Sequence, residues 1–183
     1  DLIVSRGLGD VYKRQVRYRI VLNQRIKLGM VGGGQGAFIG AVHRIASRID
    51  DRYELVAGAF SSNPEKSLAS GKELGISPDR NYRDYLEMAS KESERTDKID
   101  AVAIVTPNHM HHPIAMAFIE KGFHIICDKP LAMNLKECEE LVKATKEKDI
   151  IFALTHNYTG YPMIRNAKAC LLYTSDAADD FTS

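Results

Sequence analysis

The stretch IKLGMVGGGQGAFIGAVHRIASRI, residues 26–49, decides the fold of this chain. Its apolar beginning, Ile26–Val31, predicts a buried strand, and Ala37–Ile49 repeats apolar residues at helical spacing. Between them lie the glycines of Gly32–Gly36, which permit a tight turn with no side chains in the way. A strand, a glycine turn and a helix in this order are typical of a dinucleotide-binding βαβ unit.

The glycine turn supplies the predicted phosphate-binding residues, because the N–H groups of the turn and of the first helical residues point at a bound anion. These residues are Gly32, Gly33, Gly34, Gln35, Gly36, Ala37, Phe38 and Ile39. Two registers remain open, a short one from Gly32 to Ala37 and a longer loop that includes Gly36 and Gly40. The alternative is a glycine-rich turn that only packs the helix on the sheet.

Outward from this unit, apolar runs alternate with amphipathic stretches. The further predicted strands are Tyr53–Phe60, Ile99–Val105, His124–Cys127 and Ile150–Leu154. The further predicted helices are Pro64–Leu74, Asn81–Ser93, His112–Lys121 and Leu135–Lys148. This alternation predicts an α/β fold with a doubly wound parallel sheet, a single Rossmann domain over residues 16–156.

The end of the second strand bears on the choice of cofactor. An NAD site usually places Asp or Glu there to bind both ribose hydroxyls, but this chain has Ser61, Ser62 and Asn63, with Lys66 one turn later. Hydroxyl groups and a nearby cation tolerate a 2′-phosphate that a carboxylate would repel. The pattern favours NADP over NAD as cofactor. The alternative is that Ser61 and Asn63 only cap the second helix.

Two motifs follow the glycine turn, VTPNHMHHPIAMA at residues 105–117 and IICDKPLAMN at residues 125–134. With the glycine turn, they resemble the Gfo/Idh/MocA family, which includes glucose-fructose oxidoreductases, inositol dehydrogenases and related sugar dehydrogenases. The resemblance implies an NAD(P)-dependent oxidoreductase that acts on CH–OH groups of a sugar, polyol or related hydroxy compound. It also implies that a second α/β domain is missing, so the fragment is expected to bind nucleotide without turnover.

The resemblance also implies individual roles. Thr106, Pro107, Asn108 and His111 match the family's residues on the nicotinamide side of the cleft, and Lys129 matches a lysine that borders both nicotinamide and substrate. Asp128 is expected at the cofactor too, although the family usually has Glu there. Residues 155–163 resemble the segment that leads into the second domain. There His156, Asn157 and Tyr158 are expected either to contact substrate or to pack at the domain junction.

Lys129 also has a chemical rationale. Hydride removal from a carbinol carbon requires that the hydroxyl proton also leave, so a cation near that oxygen lowers the barrier. The alternative is an ordinary surface lysine before a helix. Three rival functions stay open for the whole protein: an NAD(P)-sensing regulatory protein, an NAD-dependent glycosidase of the same family, and a reductase of non-sugar substrates.

Composition limits the partners. With 25 Lys and Arg against 24 Asp and Glu, the chain carries no charge pattern that favours nucleic acid or membrane. An odd set of three cysteines without a CxxC pair indicates a reducing compartment, the cytoplasm. His109, His111 and His112 diverge without a completing ligand, so no metal site is predicted. The expected partner is a small molecule, with a homo-oligomer only for the full-length protein.

Both ends are expected to be non-native. Ser5–Gln15 and Cys170–Asp179 resemble translated transposase adapters of the kind used to prepare sequencing libraries. The tail also has no apolar periodicity, which predicts no continuity with the helical pattern before it. The expected division is an adapter-like segment at 1–15, the Rossmann domain at 16–156, the start of a domain junction at 157–169 and an adapter-like tail at 170–183.

Overall fold

The computed structural model describes residues 24–179, with side chains through Tyr173. Its centre is a parallel five-stranded sheet in the order β2-β1-β3-β4-β5. The strands are β1 (Ile26–Gly32), β2 (Tyr53–Ala59), β3 (Ala101–Val105), β4 (His124–Cys127) and β5 (Phe152–Leu154). The doubly wound α/β class is therefore confirmed. The adapter-like segment at 1–15 and the last four residues of the tail lie outside the described residues.

Helices connect the strands, as the alternating pattern predicts. They are α1 (Phe38–Arg48), α2 (Pro64–Glu73), α3 (Tyr85–Glu94), α4 (His111–Glu120), α5 (Leu135–Glu147) and α6 (Pro162–Asp179). Local signals fix two of the starts: the Asn63 side chain accepts a hydrogen bond from the Lys66 N–H, and Asn134 does the same for Glu137. Gly75 follows α2 with a φ of 74°, the left-handed conformation that ends helices.

The predicted helix start at Asn81 is wrong. Pro78–Arg80 form a 3₁₀ turn, Asn81 forms a β-bridge with Gly58, and α3 begins only at Tyr85. The reason is competition for hydrogen bonds, because β2 is an edge strand whose free side pairs with the passing chain. Asp84 then caps α3, and its carboxylate accepts hydrogen bonds from the first N–H groups of the helix.

The two sheet faces are covered unequally. On one face, α3, α4 and α5 bury a large apolar cluster that includes Met88, Phe118 and Leu141. On the other face, a smaller cluster packs against Ile39 of α1. There the sheet is open near β5, where Ala153 is exposed. The outer stripe of α1 is exposed too, with Phe38, Val42, Ile45 and Ile49 all accessible.

The tail contradicts one expectation. Helix α6 runs without a break from Pro162 to Asp179, so the backbone of the adapter-like tail continues the preceding helix as far as it is described. No Gly or Pro interrupts residues 163–179, and the helical hydrogen-bond pattern therefore extends through them. The apolar side chains of Met163, Leu171 and Tyr173 remain exposed. Across residues 24–179, no helix is long and apolar enough to cross a membrane.

Candidate functional site

The glycine turn is packed so closely that side chains have no room at its centre. A Cβ on Gly32, where φ is 81°, would lie 2.6 Å from the Val105 carbonyl oxygen. A Cβ on Gly40 would lie 2.3 Å from the Gly33 Cα, so α1 crosses the end of β1 at backbone contact. Gly36 differs, because its added Cβ would meet open space although its φ is 76°. These contacts fix the start of α1 directly above the sheet.

The first turn of α1 is suited to an anion. Ala37 at the N-cap offers no capping side chain, and no acidic residue stands in the first turn. The leading N–H groups of the helix therefore lack the usual side-chain acceptor and carry the positive end of the helix dipole. Behind the turn, the Arg44 guanidinium donates a hydrogen bond of 2.7 Å to the Gly33 carbonyl oxygen. Sequence reasoning missed Arg44, since no spacing rule marks it.

A cleft of about 590 Å³ opens beside this turn. It lies between the carboxyl ends of β1 and β3, where the strand order reverses and where doubly wound sheets bind their ligands. Nine of the predicted cofactor residues line it: Gly32, Gly33, Gly34, Gln35, Ala37, Ser61, Ser62, Thr106 and Pro107. A glycine turn with an uncapped helix start at such a cleft fits the pyrophosphate of a dinucleotide.

The far end of the cleft is bordered by Ser61, Ser62 and Lys66. The capping role of this segment is also observed, because the Ser61 hydroxyl accepts a 3.2 Å hydrogen bond from the Asn63 N–H while Asn63 caps α2. Sequence reasoning missed Asp84, which lines this end as well. Thus no carboxylate lies at the end of β2, but Asp84 at the start of α3 also lines the cleft.

A second cavity of about 580 Å³ lies on the open sheet face beside α1. Five predicted site residues line it instead of the first cleft: Phe38, Ile39, Asp128, Lys129 and Asn157. The remaining predicted residues line neither large cavity. Gly36 borders a smaller cavity between α1 and α2, His111 is buried, and Asn108, His156 and Tyr158 are exposed.

The carboxylate of Asp128 is engaged by its neighbours. The Thr155 hydroxyl donates a 2.8 Å hydrogen bond to Oδ1 of Asp128, and Nε2 of His43 lies 3.9 Å from the same oxygen. Burial lowers the pKa of His43, and the Asp128 charge opposes that shift. His43 and Thr155 were not predicted, because their meeting depends on how α1 and β5 pack.

The histidine cluster separates as its spacing suggests. His109 lines the cleft, His111 is buried, and His112 lies 2.9 Å from Glu140 of α5. Within the described part of the chain, no group of three or more His, Cys, Asp or Glu side chains is placed to hold a metal ion.

The family model for oxidoreductases of the Gfo/Idh/MocA type, with an NAD-binding Rossmann fold, matches residues 26–167. The chain belongs to the Gfo/Idh/MocA family. Its matched region contains the glycine turn, the cleft and both later motifs, so the resemblance read from those motifs is confirmed.

Three known proteins are similar to this chain in sequence, and two of them also in fold. An oxidoreductase structure from Sinorhizobium meliloti is 58% identical with a TM-score of 0.77, over 82% of this chain and 42% of that one. An inositol dehydrogenase homologue from Azotobacter vinelandii, complexed with NADH and myo-inositol, is 37% identical with a TM-score of 0.81, over 84% and 41%. Levoglucosan dehydrogenase of Pseudarthrobacter phenanthrenivorans is 31% identical over 79% and 36%. The chain thus spans about two fifths of the length of these relatives.

Proposed function

We propose that the protein containing this domain is an NAD(P)-dependent oxidoreductase acting on a CH–OH group of a sugar, polyol or related hydroxy compound. The observation that carries the proposal is the uncapped start of α1 at the switch-point cleft. The Azotobacter vinelandii homologue, described with NADH and myo-inositol, supports both the cofactor class and the substrate class. The described chain itself is proposed to bind nucleotide without turnover.

NADP is the proposed cofactor. Ser61, Ser62 and Lys66 border the far end of the cleft, and these groups suit the charge of a 2′-phosphate. NAD is the second candidate, and two observations favour it: Asp84 also lines this end, and the Azotobacter vinelandii structure contains NADH. A carboxylate at Asp84 accepts hydrogen bonds from ribose hydroxyls but repels a phosphate.

A bound nicotinamide would accept or donate the hydride. We propose that the glycine turn and the first N–H groups of α1 hold the pyrophosphate, while Thr106 and Pro107 orient the nicotinamide half. Lys129, exposed at the end of β4, is proposed to place its ammonium group at the substrate oxygen and to relay the hydroxyl proton. Asn157, which lines the same cavity as Lys129, is proposed as a substrate contact.

The remaining features are proposed at the level of the whole protein. The free thiols of Cys127 and Cys138 support a reducing compartment such as the cytoplasm. Homo-oligomerisation is proposed for the longer protein alone. Residues 16–156 are proposed as the Rossmann domain and residues 157–169 as the start of the junction, with adapter-like segments at 1–15 and 170–183.

Titration of the purified chain with NADPH and with NADH tests the proposal. We expect micromolar or tighter binding, with NADPH preferred. Gly34→Val is the matched variant, because even a Cβ there would lie 2.7 Å from the Ser70 hydroxyl and 2.8 Å from the Phe60 carbonyl oxygen. It should lose binding while circular dichroism shows a folded chain. A wild-type chain that binds neither nucleotide would contradict the proposal.

A further inference from the structure

His111 joins two loops through its ring. It is the first residue of α4 and only 1% exposed. Its Nδ1 lies 2.7 Å from the Pro130 carbonyl oxygen, and its Nε2 lies 3.0 Å from the Thr106 carbonyl oxygen. Thr106 opens the loop after β3, and Pro130 directly follows Lys129 in the loop after β4.

Both partners of the ring can only accept hydrogen bonds. A ring N–H donates to the carbonyl oxygen that it faces, and the tautomer decides which of the two oxygens this is. In either tautomer the buried ring lies between the two loops and contacts both of them.

The strands themselves do not fix these loops to each other. The pairing of β3 with β4 ends at Ile104 and Cys127, followed by one backbone hydrogen bond of 3.1 Å from the Asp128 N–H to the Ile104 carbonyl. The side chain of His111 contacts both loops, one through each ring nitrogen.

We infer that His111 is a positioning residue, whose buried ring sets the separation between the loop after β3 and the loop that carries Lys129. The inference rests on the proposed function, in which the first loop borders the nicotinamide half of the cofactor and Lys129 acts on the substrate. His111 thus reaches the cofactor only through the backbone of other residues, although the family resemblance implied a place at the cleft.

NMR of the isotope-labelled chain tests this geometry without any substitution. We expect nuclear Overhauser contacts from one histidine ring to both Thr106 and Pro130. A ring that contacts only one of these two residues would overturn the inference. This measurement does not depend on nucleotide binding, so it stands even if the proposed function fails.

A pair of ligands tests the positioning role. NADPH spans the whole cleft, while 2′,5′-ADP lacks the nicotinamide half. We expect His111→Gln to weaken NADPH binding about tenfold, because a buried hydrogen bond and the ring between the two loops are lost, and to weaken 2′,5′-ADP binding much less. His112→Gln is the matched control, since that ring faces Glu140 of α5 and not the two loops, and both ligands should keep their affinity.

If His111→Gln weakened the binding of both ligands equally, His111 would only support the fold, and the positioning role would be overturned. Unchanged NADPH binding by a folded His111→Gln chain would also overturn it. Failure of the wild-type chain to bind NADPH or NADH would instead contradict the proposed function, while the NMR result would still decide the loop geometry.

Discussion

The hydroxyl of Thr155 donates a hydrogen bond of 2.8 Å to Oδ1 of Asp128, and so joins the residues that directly follow β5 and β4. The Asp128 side chain is only 18% exposed, so this hydrogen bond to a carboxylate contributes more to stability than one at the surface. The same contact shows why Asp128 faces the second cavity. Its carboxylate is directed across the sheet edge toward β5 and α1.

Thr155→Val should destabilise the domain. The substitution keeps the shape of the side chain but removes the donor, and leaves a half-buried carboxylate oxygen without it. We expect the free energy of unfolding in urea to fall by about 1.5–3 kcal/mol. Thr155→Ser is the control, because it keeps the hydroxyl and should lose much less. Equal losses in the two variants would show that the hydrogen bond contributes nothing measurable.

Ser61→Asp should shift nucleotide preference toward NADH. The new carboxylate would stand where the 2′-phosphate is proposed to lie, and repulsion of about 1–2 kcal/mol corresponds to about tenfold in the ratio of dissociation constants. Fluorescence titration with both nucleotides measures that ratio. Ser61→Asn, similar in size but neutral, should leave the ratio close to that of the wild type. An unchanged ratio in Ser61→Asp would contradict the NADP assignment.

Lys129→Met should abolish most turnover in the longer protein that contains this domain. The loss of the ammonium group removes both the charge at the substrate oxygen and the proton relay, and we expect kcat to fall about 10²- to 10⁴-fold. NADPH binding should change little. The control is Lys136→Met, an exposed lysine at the start of α5. Retained turnover in Lys129→Met would remove Lys129 from the catalytic residues.

Glu92→Gln should unfold the domain much more easily than an exposed substitution. Glu92 is fully buried and accepts hydrogen bonds from Arg80, from the Tyr82 hydroxyl and from the Ile99 N–H. Without the negative charge, the buried Arg80 guanidinium keeps only the half-exposed Asp97 carboxylate, 3.6 Å away, as a counter-ion, and we expect a loss of about 3–5 kcal/mol. Urea unfolding measures the loss, and Glu94→Gln on the exposed side of α3 is the control. Similar stabilities of the two variants would contradict this account.

Cys127 should resist thiol reagents in the folded chain. Burial, with a smaller contribution from Asp128, raises the pKa of its thiol from 9.0 to about 12. At pH 8 we expect mass spectrometry to find Cys138 modified and Cys127 protected until urea is added. Because the folded state holds this proton more tightly, the associated stability is present below pH 9 and declines as the pH rises toward 12. Cys127→Ala should lack that decline.

Strands and helices with strong local patterns were predictable from the sequence. The limits predicted for β4 are those observed, and α5 differs by one residue at its end. Predictions failed where a group distant in the chain takes a backbone hydrogen bond. Asn81 pairs with the edge of β2 and does not start a helix. Ile99, expected in β3, donates its N–H to the Glu92 carboxylate. Such partners are distant in the chain, so no local periodicity contains them.

The site was predictable to the extent that backbone motifs determine it. The glycine turn, the serines after β2 and the loop after β3 line one cleft because parallel strands end at the same sheet edge. The sequence does not indicate whether the residues after β4 line the cleft or the second cavity. Asp128 and Lys129 follow β4, and Asp128 meets Thr155 after β5 and His43 of α1 at the second cavity.

Sequence alone determined the order of strands and helices, the uncapped start of α1 and the family to which the chain belongs, because these depend on short motifs and local hydrogen bonding. Tertiary structure decided which side chains meet. It placed the His111 ring between two carbonyl oxygens and Thr155 against Asp128. The contacts of His111 with Pro130 and of Thr155 with Asp128 join residues 19 and 27 positions apart, and only the packing of the helices on the sheet brings them within hydrogen-bond distance.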